Sequence, residues 1–167
     1  MRRLWSHVSE NLPKMVDVSA KHNSVRNAVA ETQIKVPVTV MQMLESTQNE
    51  MHGPKGPVFA TAIVAGVMAA KKTSEIIPFC HPIPIDDCQI VIKPDGDESI
   101  TVRCSVKVTH KTGVEMEALT GASVAALCVY DMCKALSHDI TIEKTRLVHK
   151  CGGKTDYIES SPFVAGT

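Results

Sequence analysis

The chain has 167 residues, 44% apolar and 22% charged, which suits one domain with a single buried core. Its 18 basic residues balance 18 acidic ones, which argues against a general nucleic-acid binder and favours self-association over colloidal repulsion. The longest uncharged run, Gly56 to Ala70, has 15 residues and falls short of the roughly 20 that a membrane-spanning helix needs.

Residues 1–14 read as an arm, 15–154 as one domain and 155–167 as a tail. The basic start MRRLW has no apolar segment after it, and none of the six cysteines forms a C-x-x-C pair. Free thiols in a cytoplasmic protein are therefore expected. MVDVS and RNAVAETQIKV alternate like strands around a turn at His22–Ser24. TVMQMLESTQN predicts a short amphipathic helix. PVFATAIVAGVMAAKK predicts a helix with Pro57 at its start; being apolar all round, it is expected to be buried.

A loop with Pro78, Pro82 and Pro84 then frames Cys80 and His81. DDCQIVIKP and SITVRCSVKVTH read as a hairpin joined by DGDE. TGVEMEALTGASVAALCVYDMCKAL is a long helix, with Thr112 and Glu115 spaced as a capping box. ITIEKTRLVHK is a last strand, and CGGKT begins a flexible tail. The order β-β-α-α-β-β-α-β predicts an α+β fold, a ferredoxin-like antiparallel sheet with helices on one face.

Asp131 and Lys134 stand three apart in a greasy setting, so a partly buried pair able to trade protons is expected, against a plain surface ion pair. Glu117 and Asp131 are separated by 14 positions, about 21 Å along a helix. One helix cannot bring both to one reacting centre, which favours composite sites between subunits. Lys55, Lys71, Lys72, Lys111, Lys150 and Lys154 are cations able to neutralise a polyphosphate if the fold gathers them. GGKT is not a P-loop, because Val148 stands where the first glycine belongs. Adjacent Cys80 and His81 make poor chelate geometry, so no metal is expected and His81 reads as an acid/base or phosphate-binding group.

KGPVFATAIVAGVMAAKKTSEIIPFCHPIPI and KTGVEMEALTGASVAALCVYDMCKA closely resemble the cyclic pyranopterin monophosphate synthases, the MoaC family of molybdenum cofactor biosynthesis. MVDVSAKHNSVRNAVAE and RLVHKCGGK match as well. The resemblance implies a hexamer built as a trimer of dimers, with active sites between subunits and no organic cofactor. It implies conversion of 3′,8-cyclo-7,8-dihydroguanosine 5′-triphosphate, supplied by a radical enzyme, to cyclic pyranopterin monophosphate with release of pyrophosphate. It also implies catalytic roles for Asp131, Lys134 and Lys55, and substrate binding by Phe79, Cys80, His81, Met116, Glu117, Lys150 and Lys154. Two positions depart from the family pattern. Thr155-Asp156-Tyr157 stands for the usual Ser-Gly-Asp, and Pro57 for an Asp or Asn. The rival expectations are a non-catalytic nucleotide-binding module and a metal-dependent phosphohydrolase.

Overall fold

Alternation of apolar and polar residues builds the centre of the sheet. A computed structural model describes residues 8–9, 12–47 and 50–159. In chain order the elements are β1 (Val8–Ser9), β2 (Leu12–Pro13), β3 (Ser24–Lys35), α1 (Val38–Met43), β4 (Glu45–Thr47), β5 (Glu50–Gly53) and β6 (Gly56–Pro57). They continue with α2 (Val58–Lys71), α3 (Thr73–Ile76), β7 (Asp87–Pro94), β8 (Ser99–His110), α4 (Glu115–Cys133), β9 (Thr141–Cys151) and β10 (Tyr157–Ile158).

The main sheet has the order β10-β9-β3-β8-β7, antiparallel throughout. Within it β3-α2-β7-β8-α4-β9 traces the β-α-β-β-α-β path of a ferredoxin-like fold, as expected. Ala28, Ala30, Thr32 and Ile34 of β3 point to the buried side, as do Ile100, Val102, Cys104, Val106 and Val108 of β8. Thr32, polar in this layer, is satisfied by the Thr145 hydroxyl at 3.0 Å. Each fully buried valine or isoleucine contributes about 1.5–3 kcal/mol.

Small residues let α2 and α4 lie close together on that face. A Cβ on Gly66 would stand 2.8 Å from the Gly121 carbonyl oxygen and 3.0 Å from the Ala125 Cβ. A Cβ on Gly121 would meet the Cys104 sulfur at 2.7 Å. α4 is therefore wedged between the sheet and α2. It is the one described helix long and apolar enough to cross a membrane, and nine of its residues are buried in this core.

Several expectations change. MVDVS, residues 15–19, forms no strand. Its alternating Val16 and Val18 line a cavity instead. The helix expected over TVMQMLESTQN ends at Met43, Leu44 turns extended, and the chain pairs as β4 with β5 in a small second sheet, β4-β5-β6. α2 is not buried all round: Val64 and Met68 are more than half exposed. α4 begins at Glu115 with Val114 as N-cap and no side-chain cap, so Thr112 and Glu115 form no capping box. Beyond the glycines the chain is not plain tail, because β10 pairs with β9, Tyr157 opposite Lys150.

Candidate active site

The C-terminal end of α4 carries a carboxylate between two ammonium groups. Lys134 Nζ lies 2.7 Å from Asp131 Oδ1, and Lys55 Nζ lies 2.8 Å from Oδ2. Lys55 arrives at the tip of a two-residue turn between Gly53 and Gly56, where Gly56 takes φ +107°. The hydrogen bond from Lys134, then that from Lys55, holds the Asp131 carboxyl down to about 2, and the same carboxylate raises Lys134. All three side chains are about half exposed, so the partial burial expected from the greasy flanks is absent in the single chain. The apolar neighbours point inward instead: Val129 and Met132 are buried while Leu127 is exposed. Both charges are stabilised as charges, which opposes proton trading within the pair.

The N-terminal end of α4 lines a cavity of about 270 Å³ together with the proline-framed loop. Phe79, Cys80, His81, Met116 and Glu117 all reach it, joined by Lys21 and Thr112. Glu117 is only 3% exposed. Burial, with a smaller push from Glu115, raises its carboxyl to about 7 against the pull of its own backbone amide. Among the described residues no cation lies within ion-pair distance of it. Burial, then Glu117, also raises the Cys80 thiol, which keeps it protonated. The irregular segment before β3 adds Val16, Val18 and Lys21 to the cavity lining. Ser19 N–H bonds Asp17 Oδ1 at 2.8 Å, and Lys111 Nζ holds the Ser19 carbonyl at 2.9 Å.

A second cavity of about 200 Å³ adjoins the first, since Gly113 and Glu115 line both. Its cations are Arg26, Lys150 and Lys154. Lys150 bonds Glu115 at 3.0 Å, and Arg26 Nε bonds the His110 carbonyl at 3.0 Å. Gly152 takes φ +81° where the chain presses on β3, and its N–H bonds Asp156 at 3.1 Å. The unusual Asp156 thus closes the turn that presents Lys154.

The predicted residues therefore fall into two groups. Phe79, Cys80, His81, Met116, Glu117, Lys150 and Lys154 share the two adjoining cavities. Lys55, Asp131 and Lys134 meet at the far end of the same helix. Lys71 lines a separate cavity of about 440 Å³ with Asp86 and Asp87. Among the described residues no three metal-ligating side chains converge. Sequence reasoning passed over Lys21 and Arg26, although both lie inside the segment MVDVSAKHNSVRNAVAE. It also read Glu115 as a cap when it is the ion partner of Lys150.

Comparison with known proteins gives one answer along the chain. It is 54% identical over 145 residues to a cyclic pyranopterin monophosphate synthase from Xanthomonas oryzae pv. oryzae, covering 87% of each chain. It is 48% identical, across 96% of its length, to 27% of the Dictyostelium discoideum molybdenum cofactor biosynthesis protein 1. A molybdenum cofactor biosynthesis bifunctional protein from Synechocystis is 47% identical over 92% of this chain and 45% of its own. Residues 15–153 match the MoaC family along their whole span, and the chain belongs to that family.

Proposed function

We propose that the chain is a lyase that converts 3′,8-cyclo-7,8-dihydroguanosine 5′-triphosphate to cyclic pyranopterin monophosphate, releasing pyrophosphate. The observation that carries the reading is Asp131 held between Lys55 and Lys134 in a chain of this family. The triphosphate lies along Lys150, Lys154 and Arg26, whose cavity has the charge for it. Glu117 faces the pterin-forming part of the substrate. Half protonated near neutral pH, it can give or take a proton during ring opening and reclosure. In the last step a substrate hydroxyl oxygen bonds to the α-phosphorus, and the bond from that phosphorus to the bridging oxygen breaks. As Lys55 and Lys134 turn from Asp131 to the phosphates, the carboxylate loses the bonds that hold it down and takes the hydroxyl proton, while the lysines offset charge on the leaving pyrophosphate. No electrons are exchanged with an external partner.

The two groups of residues lie about 21 Å apart along α4. A substrate-sized site therefore needs the Asp131 end of one copy to face the cavities of another. The exposed Val64, Met68 and Leu127 give apolar surface for such contacts. A hexamer of three dimers suits this arrangement, and a radical enzyme supplies the cyclised nucleotide. The test is incubation with that nucleotide and assay of pyrophosphate. Wild type releases it and Asp131→Asn, folded, does not. Binding without release by wild type would overturn the reading in favour of a non-catalytic module.

A further inference from the structure

Helix α2 starts without a cap of its own. Its N-cap residue is Pro57, which has no side-chain acceptor. The free amides of the first turn are served from another element. Glu50 on β5 accepts from Phe59 N at 2.7 Å through Oε1 and from Ala60 N at 2.8 Å through Oε2. Oε1 also accepts from Met51 N at 2.8 Å. Phe59 and Ala60 are the second and third residues of α2, the amides that an N-cap side chain ordinarily serves. Burial pushes the Glu50 carboxyl up, but the three amide bonds outweigh it and leave the group below the ordinary glutamate range. The positive end of the helix favours the same ionised state.

This carboxylate does more than cap. Its bond to Phe59 closes the chain into a loop, and Lys55 stands near the middle, five residues after Glu50 and four before Phe59. The strands on either side of Lys55, β5 and β6, are thereby tied to α2. α2 is locked on α4 by the close approach of Gly66 and Gly121, and α4 carries Asp131. A continuous set of contacts thus runs from Glu50 through both helices to the carboxylate that Lys55 must meet.

We propose that Glu50 is a positioning residue, whose carboxylate binds the N-terminus of α2 across the β5–β6 hairpin and so sets where Lys55 meets Asp131. The proposal rests on the reading of Lys55, Asp131 and Lys134 as reacting groups, but the placement itself can be measured without substrate. Glutamine at position 50 keeps one acceptor oxygen, but its NH2 group would set a donor against an α2 amide that now meets an oxygen, and the negative charge at the helix N-terminus is lost.

The experiment compares full-length wild type, Glu50→Gln and the double variant Glu50→Gln with Pro57→Asp. The last restores a local helix cap without the tie across the hairpin. Three quantities are followed: melting temperature, the Asp131 carboxyl titration by carbon NMR, and pyrophosphate release. In Glu50→Gln the melting temperature falls, the Asp131 midpoint rises from about 2 towards its ordinary 3.8, and kcat drops about tenfold with KM little changed. In the double variant the melting temperature recovers, while the Asp131 midpoint and kcat stay where Glu50→Gln put them. Recovery of all three together would show a helix cap and nothing more. An unmoved Asp131 midpoint in Glu50→Gln would also overturn the proposal. If wild type releases no pyrophosphate, the functional reading fails, and the Asp131 midpoint still decides the role of Glu50.

Discussion

Replacing Glu117 with glutamine removes the one charged side chain that is fully buried among the described residues. The effect on stability can be worked out from its environment. Below about pH 4.5 the carboxyl is protonated in the folded and unfolded chain alike, so it makes no difference between them. Above that, the unfolded chain releases the proton while the folded chain keeps it, because burial holds the folded group near 7. Stability then falls by about 1.4 kcal/mol per pH unit until the folded carboxyl ionises too. The accumulated loss is on the order of 3 kcal/mol by about pH 8. Glutamine does not titrate, so the variant escapes this loss. The assay is urea unfolding of both proteins at one fixed protein concentration, from about pH 4 to pH 8. Every other titrating group occurs in both chains, so the difference reports Glu117 together with its coupling to Glu115 and Cys80. The variant gains on wild type steadily as pH rises, beyond a constant offset from the changed side chain. Stability curves that stay parallel across the range would refute the reasoning.

Two further outcomes follow from the packing and charge already described. Gly66→Ala drives a Cβ against Ile90, the Gly121 carbonyl and Ala125, so calorimetry finds it less stable by about 1–3 kcal/mol. Lys150→Met removes a cation proposed to bind phosphate and unpairs Glu115; steady-state pyrophosphate release is expected to lose about ten- to hundredfold in kcat/KM, with the fold intact by circular dichroism.

Long, strongly patterned segments were legible in the sequence. The strict alternation of Ser99–His110 and the small-residue run of Glu115–Cys133 each become one element, with turns and charges marking the ends. Short elements were not legible, because their pairing is set by distant chain. Tyr157–Ile158 becomes a strand only because β9 offers an edge. The segment Val16–Val18 has the alternation of a strand, and its valines face a cavity rather than a sheet. The site divides in the same way. Asp131 and Lys134 are neighbours by helical spacing, so their pairing could be read directly. The third member, Lys55, lies 76 positions away, and only the fold shows that it shares the same carboxylate. The departure at Pro57 also gains a meaning that no local pattern holds. The acceptor missing at that position is supplied seven residues earlier by Glu50.

Helix α4 also acts as a ruler. Its two ends carry the two groups of site residues, and its middle has no slack, because Gly121 and its alanine neighbours are wedged against α2 and the sheet. In the proposed assembly, the spacing between Glu117 and Asp131 is then fixed by a count of helical residues. A single residue inserted between Glu117 and Asp131 would rotate one end by about 100° against the other. Every centre in the assembly would lose its alignment at once, even where each binding cavity remained whole.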